Sequence, residues 1–303
     1  MPSLVDDSFK YLPVSPRDKQ WGLYVTGVGC SGVPAGSPYP RSMHPDLYQF
    51  GWKKGRVLPE YQILYVTWGE GEFESEAVPL TRVAAGTVLL LFPGVWHSYR
   101  PMPEVGWEEY WVSFSGPRAD ELLSAGFFSP ESPLLETGPD DAVLRPYLQM
   151  LNYVRAEPSG YQQIIAAATV ELLATALGAA QRRRDGGRLE GLIRQAKLMM
   201  ERQLEEVVDM EDVAKSLGMS YAHFRRVFKQ QTGFSPYQYH LQLRVHRARE
   251  LLRSTNLSVK EIAARLNFES PYHFSRMFKK KTAGMSPTQW RGGGNLRAAK
   301  NSL

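Results

Sequence analysis

Ala222-His223-Phe224-Arg225-Arg226-Val227-Phe228-Lys229 returns fifty residues later as Tyr272-His273-Phe274-Ser275-Arg276-Met277-Phe278-Lys279. The likeness extends in both directions. Upstream, Val213-Ala214 and Leu217 recur as Ile262-Ala263 and Leu266 at an offset of 49, and downstream Gly233, Ser235 and Pro236 recur as Gly284, Ser286 and Pro287 at 51. An offset that grows by single steps marks insertions in turns, where a chain tolerates them. One falls in Phe268-Glu269-Ser270-Pro271 and the other near Ala283. In each copy apolar residues four apart (Val213 and Leu217, then Phe224 and Phe228) define two short amphipathic helices. Start signals agree: Ser258 with Glu261 fits a capping box, Ser220 precedes the second helix of copy one, and Ser235-Pro236 and Ser286-Pro287 put a capping hydroxyl before a first-turn proline.

Two short helices joined by a tight turn, the second rich in basic residues, make a helix-turn-helix, whose second helix enters the major groove of DNA. With Phe224, Val227 and Phe228 turned inward, Tyr221, Ala222, Arg225, Arg226 and Lys229 face out. In copy two Phe274, Met277 and Phe278 face in, leaving Pro271, Tyr272, Ser275, Arg276 and Lys279 outside. A guanidinium matches a guanine edge, where a bidentate contact discriminates by about 1–3 kcal/mol. Arg225 is therefore the candidate base reader, with Ala222 and Tyr272 as apolar contacts. Arg226 and Arg276 join the outward DNA-facing set, with a phosphate anchor or a pairing with an acidic residue of the preceding helix as the alternative. His223 and His273 read as packed, hydrogen-bonded side chains. Between the copies, Pro236 to Arg253 reads as one continuous helix of about 25 Å. It would set two readers about one duplex turn apart, so the expected partner is double-stranded DNA contacted at two neighbouring major-groove segments.

Charge divides the 303-residue chain. Residues 1–181 carry 12 Lys+Arg against 20 Asp+Glu, whereas 189–291 carry 18 against 10. A basic module, suited to phosphate by counterion release, is thus tethered to an acidic one. The boundaries read as an acidic domain over 1–181, a solvated linker over 182–188 around Gly186-Gly187, a basic domain suited to DNA over 189–291, and a disordered tail over 292–303. The single cysteine, Cys30, rules out an internal disulfide and a cysteine-based zinc site. Charged residues throughout the first twenty positions argue against a secretory leader. Ile164 to Ala180 is too short for a usual bilayer span and is interrupted by Glu171, so no membrane partner is expected; the cysteine usage makes a cytoplasmic setting the expectation.

The acidic half reads as strands and then helices. Tyr61–Trp68, Glu72–Glu76, Val88–Phe92 and Trp107–Phe114 are rich in β-branched and aromatic residues, with turns expected at Gly69-Glu70-Gly71 and Pro93-Gly94. That spacing suggests an antiparallel barrel or double sheet. Helical stripes follow: Val143, Tyr147, Leu151 and Val154, then Tyr161, Ile165, Ala168 and Leu172. The fold class is α+β in two domains.

The stretch Asp209 to Arg291 closely resembles the DNA-binding domain of AraC/XylS-type transcription regulators. The resemblance is carried by Ala214-x-x-Leu217-Gly218-Met219-Ser220, Phe224-x-Arg226-x-Phe228-Lys229, Gly233-x-Ser235-Pro236, Ala248-x-x-Leu251-Leu252, Ile262-Ala263 and Tyr272-His273-Phe274-Ser275-Arg276-x-Phe278-Lys279-Lys280. The departures are Asn267, where a glycine is usual in the turn, and the extra Ala283. Upstream, Gly69-Glu70-Gly71, Ala85-Gly86-Thr87 through Pro93-Gly94, His97, Tyr99 and Trp107-x-x-x-Trp111-Val112-x-Phe114 resemble the family's cupin-like jelly-roll effector domain, in its sugar-responsive branch.

That resemblance implies an activator of carbohydrate-utilisation genes, gated by a small sugar in the barrel, acting as a homodimer that meets RNA polymerase, and not an enzyme; the alternatives are a regulator answering a non-sugar ligand and a cupin enzyme carrying a DNA-binding domain. It places Arg56, Tyr99, Glu109 and Trp111 toward the barrel interior, with His44 and Gln49 as candidates for a lid or pocket rim. Period two puts Trp107, Glu109 and Trp111 on one strand face. Aromatic faces would meet the apolar side of a sugar ring while Glu109 and Arg56 anchor hydroxyls; alternatively the two tryptophans fill a core. His97 has no second histidine nearby, so neither a metal nor another cofactor is expected. The apolar Ile164–Ala180 helix would pack partly on the barrel and partly on a second subunit. Residues 1–20 are candidates for a mobile arm.

Overall fold

The structure, a computed structural model, describes residues 5–40 and 51–300, the last seven of these by backbone alone. The chain divides into two units, Met1–Arg184 and Asp185–Leu303. In the first, the strands are β1 (Ser8–Tyr11), β2 (Tyr24–Pro34), β3 (Arg56–Val57), β4 (Tyr61–Ser75), β5 (Thr81–Ala84), β6 (Thr87–Leu91), β7 (Trp96–Pro101), β8 (Gly106–Ser115) and β9 (Leu134–Glu136). The helices are α1 (Pro16–Gln20), α2 (Pro117–Ser124), α3 (Asp141–Ala156) and α4 (Tyr161–Arg184). All the strand pairings are antiparallel.

Strand β4 organises the sheet. Its first half pairs with β6 and β8, and its second half with β5 and β7, so one strand belongs to two layers that enclose a common core. The turn expected at Gly69-Glu70-Gly71 is instead a bend within this strand. Backbone crowding is the reason: Gly69 has φ +86, and a Cβ there would lie 2.2 Å from the Gly106 carbonyl oxygen. Only glycine lets β8 pass so close.

Strands β1 and β2 add to the β8 side, so residues 8–11 of the expected arm are paired in the sheet, Ser8 opposite Cys30. Helix α1 follows directly, held by a capping box of Ser15 and Asp18. The sheet buries its two faces differently. Val28, Ile63, Tyr65, Val88 and Val112 face α3 and α4, where they meet Val143, Tyr147, Ile165, Ala168 and Leu172. Tyr147 donates to the Ile63 carbonyl at 3.2 Å and lies parallel to Tyr65, with ring centroids 6.4 Å apart. The other face encloses Leu64, Val66, Phe73, Leu89, Tyr99, Trp107 and Trp111. Burial of so much apolar side chain, at roughly 25 cal/mol per Å² of area removed from water, is what holds the layers together.

Helix α4 runs on to Arg184, through residues 182–184 of the expected linker. Three arginines at a helix C-terminus suit its partial negative charge, and Arg182 reaches Asp140 at 3.5 Å. Only Asp185–Gly187 separates it from the next helix, with both glycines in the left-handed region.

The second unit is helical: α5 (Arg188–Arg202), α6 (Met210–Ser216), α7 (Tyr221–Thr232), α8 (Pro236–Ser254), α9 (Val259–Arg265), α10 (Pro271–Lys281) and α11 (Pro287–Lys300). Helices α5, α6 and α7 close one core around Phe224 and Phe228, and α9 and α10 close another around Phe274 and Phe278. Helix α8 joins them, giving Tyr239 and Leu243 to the first and Val245, Ala248, Leu251 and Leu252 to the second. The capping boxes at Ser258–Glu261 and Ser235–Gln238 are formed, and Ser220 caps α7 through the His223 amide. The backbone over 292–300 is helical where a disordered tail is expected. Once Ser286 and Gln289 start the helix reciprocally, each added residue needs one further backbone bond, at about 1 kcal/mol lost per glycine. The remaining tail residues, 301–303, lie outside the described residues.

Candidate functional site

In the barrel interior a polar cluster is set into the aromatic core. The two-residue strand β3 pairs Arg56 with His97 of β7, which turns the guanidinium across the barrel. Arg56 Nη2 donates to Gln62 Oε1 at 3.0 Å and to the Tyr99 hydroxyl at 2.5 Å, while Nε lies 3.3 Å from His97 Nε2. The same guanidinium carbon is 5.3 Å from the centre of the Tyr99 ring. His97 is buried, and its Nδ1 is 3.0 Å from the Val95 carbonyl. That pair of contacts assigns the proton to Nδ1 and the lone pair to Nε2, facing Arg56. Burial, aided by the neighbouring Arg56 charge, pushes the His97 pKa down to about 3, so the ring is neutral and accepts from the arginine. His97 is thereby engaged within the cluster, and among the described residues no group of three His, Cys, Asp or Glu side chains is arranged to hold a metal ion.

Glu109 lies on the same side of β8 as Trp107 and Trp111, as the alternation requires. The Tyr39 hydroxyl sits 3.1 and 3.0 Å from its two carboxyl oxygens. Burial pushes the carboxyl up to about 8, so it is mostly protonated at neutral pH and offers both a donor and an acceptor. The Tyr99 hydroxyl is likewise pushed up to about 12 by burial. Trp111 meets Tyr11 with ring centres 5.7 Å apart. Trp107 is fully buried, packed edge-on against Tyr39 at 5.7 Å, and its indole nitrogen has no hydrogen-bond partner among the described residues. Both tryptophans are thus part of the interior apolar core, beside the polar cluster.

Arg56, Tyr99, Glu109 and Trp111 therefore line one interior. His44 and Gln49 lie outside the described residues. Sequence reasoning misses Tyr39, which connects Glu109 to the Tyr99 ring at 6.0 Å, and Gln62, a buried amide held by Arg56 and donating to Ser113 Oγ at 3.1 Å. Gln62 carries a readable signal: one polar side chain at interior parity in the apolar run Tyr61–Val66. Tyr39 carries none, because it lies in a stretch with no strand period.

On the second unit, Ala222, Arg225, Arg226 and Lys229 are exposed along α7, and Tyr221 is half-buried. On α10, Pro271, Tyr272, Arg276 and Lys279 are exposed, Tyr272 at 79%. Ser275 is half-buried and donates back to the Pro271 carbonyl at 2.8 Å. Arg226 bonds to His223 Nδ1 on its own helix at 3.1 Å. Among the described residues neither Arg226 nor Arg276 forms an ion pair with the preceding helix, which leaves both guanidinium groups on the outer surface. His273 packs edge-on against Phe268 at 6.2 Å. Both departures from the repeat adopt left-handed backbone: Asn267 at φ 50 and Ala283 at φ 49.

Comparison with known proteins places this geometry. Residues 44–195 match the AraC-like ligand binding domain and residues 213–293 a helix-turn-helix domain. The MmsAB operon regulatory protein of Pseudomonas aeruginosa is 31% identical over 238 residues, covering 77% of this chain and 75% of that one. The lactose operon transcription activator of Staphylococcus xylosus is 26% identical, covering 71% and 78%. A crystal structure of an AraC-type transcriptional regulator from Chromobacterium violaceum is 32% identical over 35% of this chain and 93% of that one, with a TM-score of 0.33. A β-rich ligand-binding domain followed by paired helix-turn-helix elements, matched over both parts, makes this chain a member of the AraC family of DNA-binding transcription regulators.

Proposed function

We propose that this regulator is a cytoplasmic homodimer that activates carbohydrate-utilisation genes when a monosaccharide occupies the barrel. The observation carrying this reading is the enclosed cluster of Arg56, Gln62, Tyr99 and Glu109 beside Trp111: flat aromatic faces with donors and acceptors for hydroxyl groups at fixed positions. A largely protonated Glu109 suits a neutral polyol, since it neither repels nor demands a charge. The Staphylococcus xylosus relative is by name a lactose operon activator, which supports a sugar and an activating role.

On the DNA side, Arg225 reads a base edge in one major-groove segment, with Ala222 and Tyr272 as apolar contacts. Arg226, Lys229, Arg276 and Lys279 hold phosphates, while Tyr221, Pro271 and Ser275 border the contact. Dimerisation uses the outward side of α3 and α4, where Leu148 is 43% exposed and Ala167 and Ala174 face solvent. Pairing raises the effective concentration of the second reader, and the sugar acts by favouring one arrangement of the paired readers and of their contact with RNA polymerase.

The test is thermal unfolding of the full chain against monosaccharides, disaccharides and small aromatic acids. A monosaccharide that raises the midpoint, and that shifts binding to a duplex selected by the protein, supports the reading. A response confined to acids replaces the sugar with a carboxylate ligand, and no response across the panel removes ligand gating.

A further inference from the structure

The connector between α5 and α6 meets the turn of the second helix pair in one polar cluster. On α8, Arg244 grips the connector's backbone: its Nη2 donates to the Glu206 carbonyl at 3.1 Å. Arg244 Nη1 continues to the Asn267 carbonyl at 3.3 Å. From the opposite side the Asn267 amide donates to the Glu205 carbonyl, and Arg265 Nε reaches Glu205 Oε1 at 2.9 Å.

Asn267 is where the repeat breaks its own pattern. Its counterpart in copy one, Gly218, has φ +67, and a Cβ there would meet nothing within 4 Å. Both turns need left-handed backbone, which asparagine tolerates better than most residues that bear a Cβ. Copy two thus satisfies the turn with a residue whose side chain reaches the other half of the domain. The two halves have separate cores joined through α8. One helix alone leaves bending and twisting between its ends; a second connection closes the frame.

The geometry points to Asn267 as a positioning residue for DNA recognition: with Arg265 and Arg244 it latches the second helix pair to the connector of the first and fixes the separation of α7 and α10. This rests on the reading of α7 and α10 as elements that engage two neighbouring major-groove segments. A latch of this kind is read as intolerance of spacing. One base pair added between the segments moves one of them about 3.4 Å along the duplex and about 34° around it.

The experiment selects duplexes from a random library with the full chain, then measures affinity for the selected site, for the site with one base pair inserted, and for each segment alone. For the wild type, insertion costs at least tenfold. Asn267→Gly and Asn267→Asp keep a residue suited to the turn and remove the donor. In both, the insertion penalty falls to threefold or less while affinity for a single segment stays within twofold. Arg265→Gln, at a half-exposed position outside the turn, lowers the penalty at least twofold. An unchanged penalty in all three variants overturns the latch, as does an equal loss on single segments, which marks damage to α10 itself. A wild type that selects no paired segments overturns the two-segment reading and the latch with it.

Discussion

Gly29 stands directly opposite Trp111 across β2 and β8, and a Cβ added to it would lie 2.7 Å from the indole and 2.6 Å from the Cβ of Phe9. The tryptophan occupies the space a side chain would need. Gly29→Ala is therefore expected to cost about 1–3 kcal/mol by overpacking, measured by denaturant unfolding, and to weaken effector binding by displacing Trp111. A neutral effect on both would show that the strand yields without moving the ring.

Arg56 serves Gln62, Tyr99 and His97 at once, which a planar fork of donors can do and an ammonium cannot. Arg56→Lys should lower stability by about 1–3 kcal/mol through unpaired buried groups. It should also abolish any effector-induced rise in the unfolding midpoint. Retention of the full rise would remove Arg56 from the ligand site.

Glu109 gives a signed dependence on pH. Its carboxyl titrates near 8 in the folded chain and near 4.5 in the unfolded one, so the folded state holds the extra proton between those values. Stability relative to Glu109→Gln should then fall as pH rises from about 4.5 to 8, by at most about 1.4 kcal/mol per pH unit. His97, held down to about 3, acts in the opposite direction: the unfolded state binds the extra proton below 6.5, so stability is lost as pH drops from 6.5 toward 3. Unfolding of the wild type, Glu109→Gln and His97→Gln across pH 4 to 8 separates the two; a flat difference for Glu109→Gln contradicts the burial argument.

Arg225 and Lys229 both face out from α7 and should fail in different ways. Arg225→Ala should cost about 1–3 kcal/mol on the selected duplex and little on unrelated DNA. Lys229→Ala should weaken both, and should reduce the slope of log affinity against log salt by about 0.9. Equal loss on all duplexes for Arg225→Ala would make it a phosphate contact.

The helical unit was legible because its signals are local. Phe224 and Phe228, Ser258 and Glu261, and Ser235 and Pro236 each act within one or two turns, and the repeat shows every such signal twice. Long-range pairing decides the barrel, and there the reading thins. Gly27 and Gly29 give β2 little strand signal, since Trp111, whose indole fills the space beside both, lies far along the chain. Gly69-Glu70-Gly71 carries the composition of a turn, yet β5, β7 and β8 hold it extended as a bend in β4. Alternation alone placed Glu109 and Trp111 on one face, but the Tyr39 contact comes from a segment that only folding brings there. The arginines of 182–184 read as a solvated linker, and they are solvated as the last turn of α4.

Asp185, Gly186 and Gly187 have a mechanical consequence. Four peptide steps link the Cα atoms of Arg184 and Arg188, and at 3.80 Å each they cap the stretch at about 15 Å, less than half the pitch of a duplex. That ceiling follows from contour length alone: however the backbone of these three residues is turned, the end of α4 and the start of α5 stay within it.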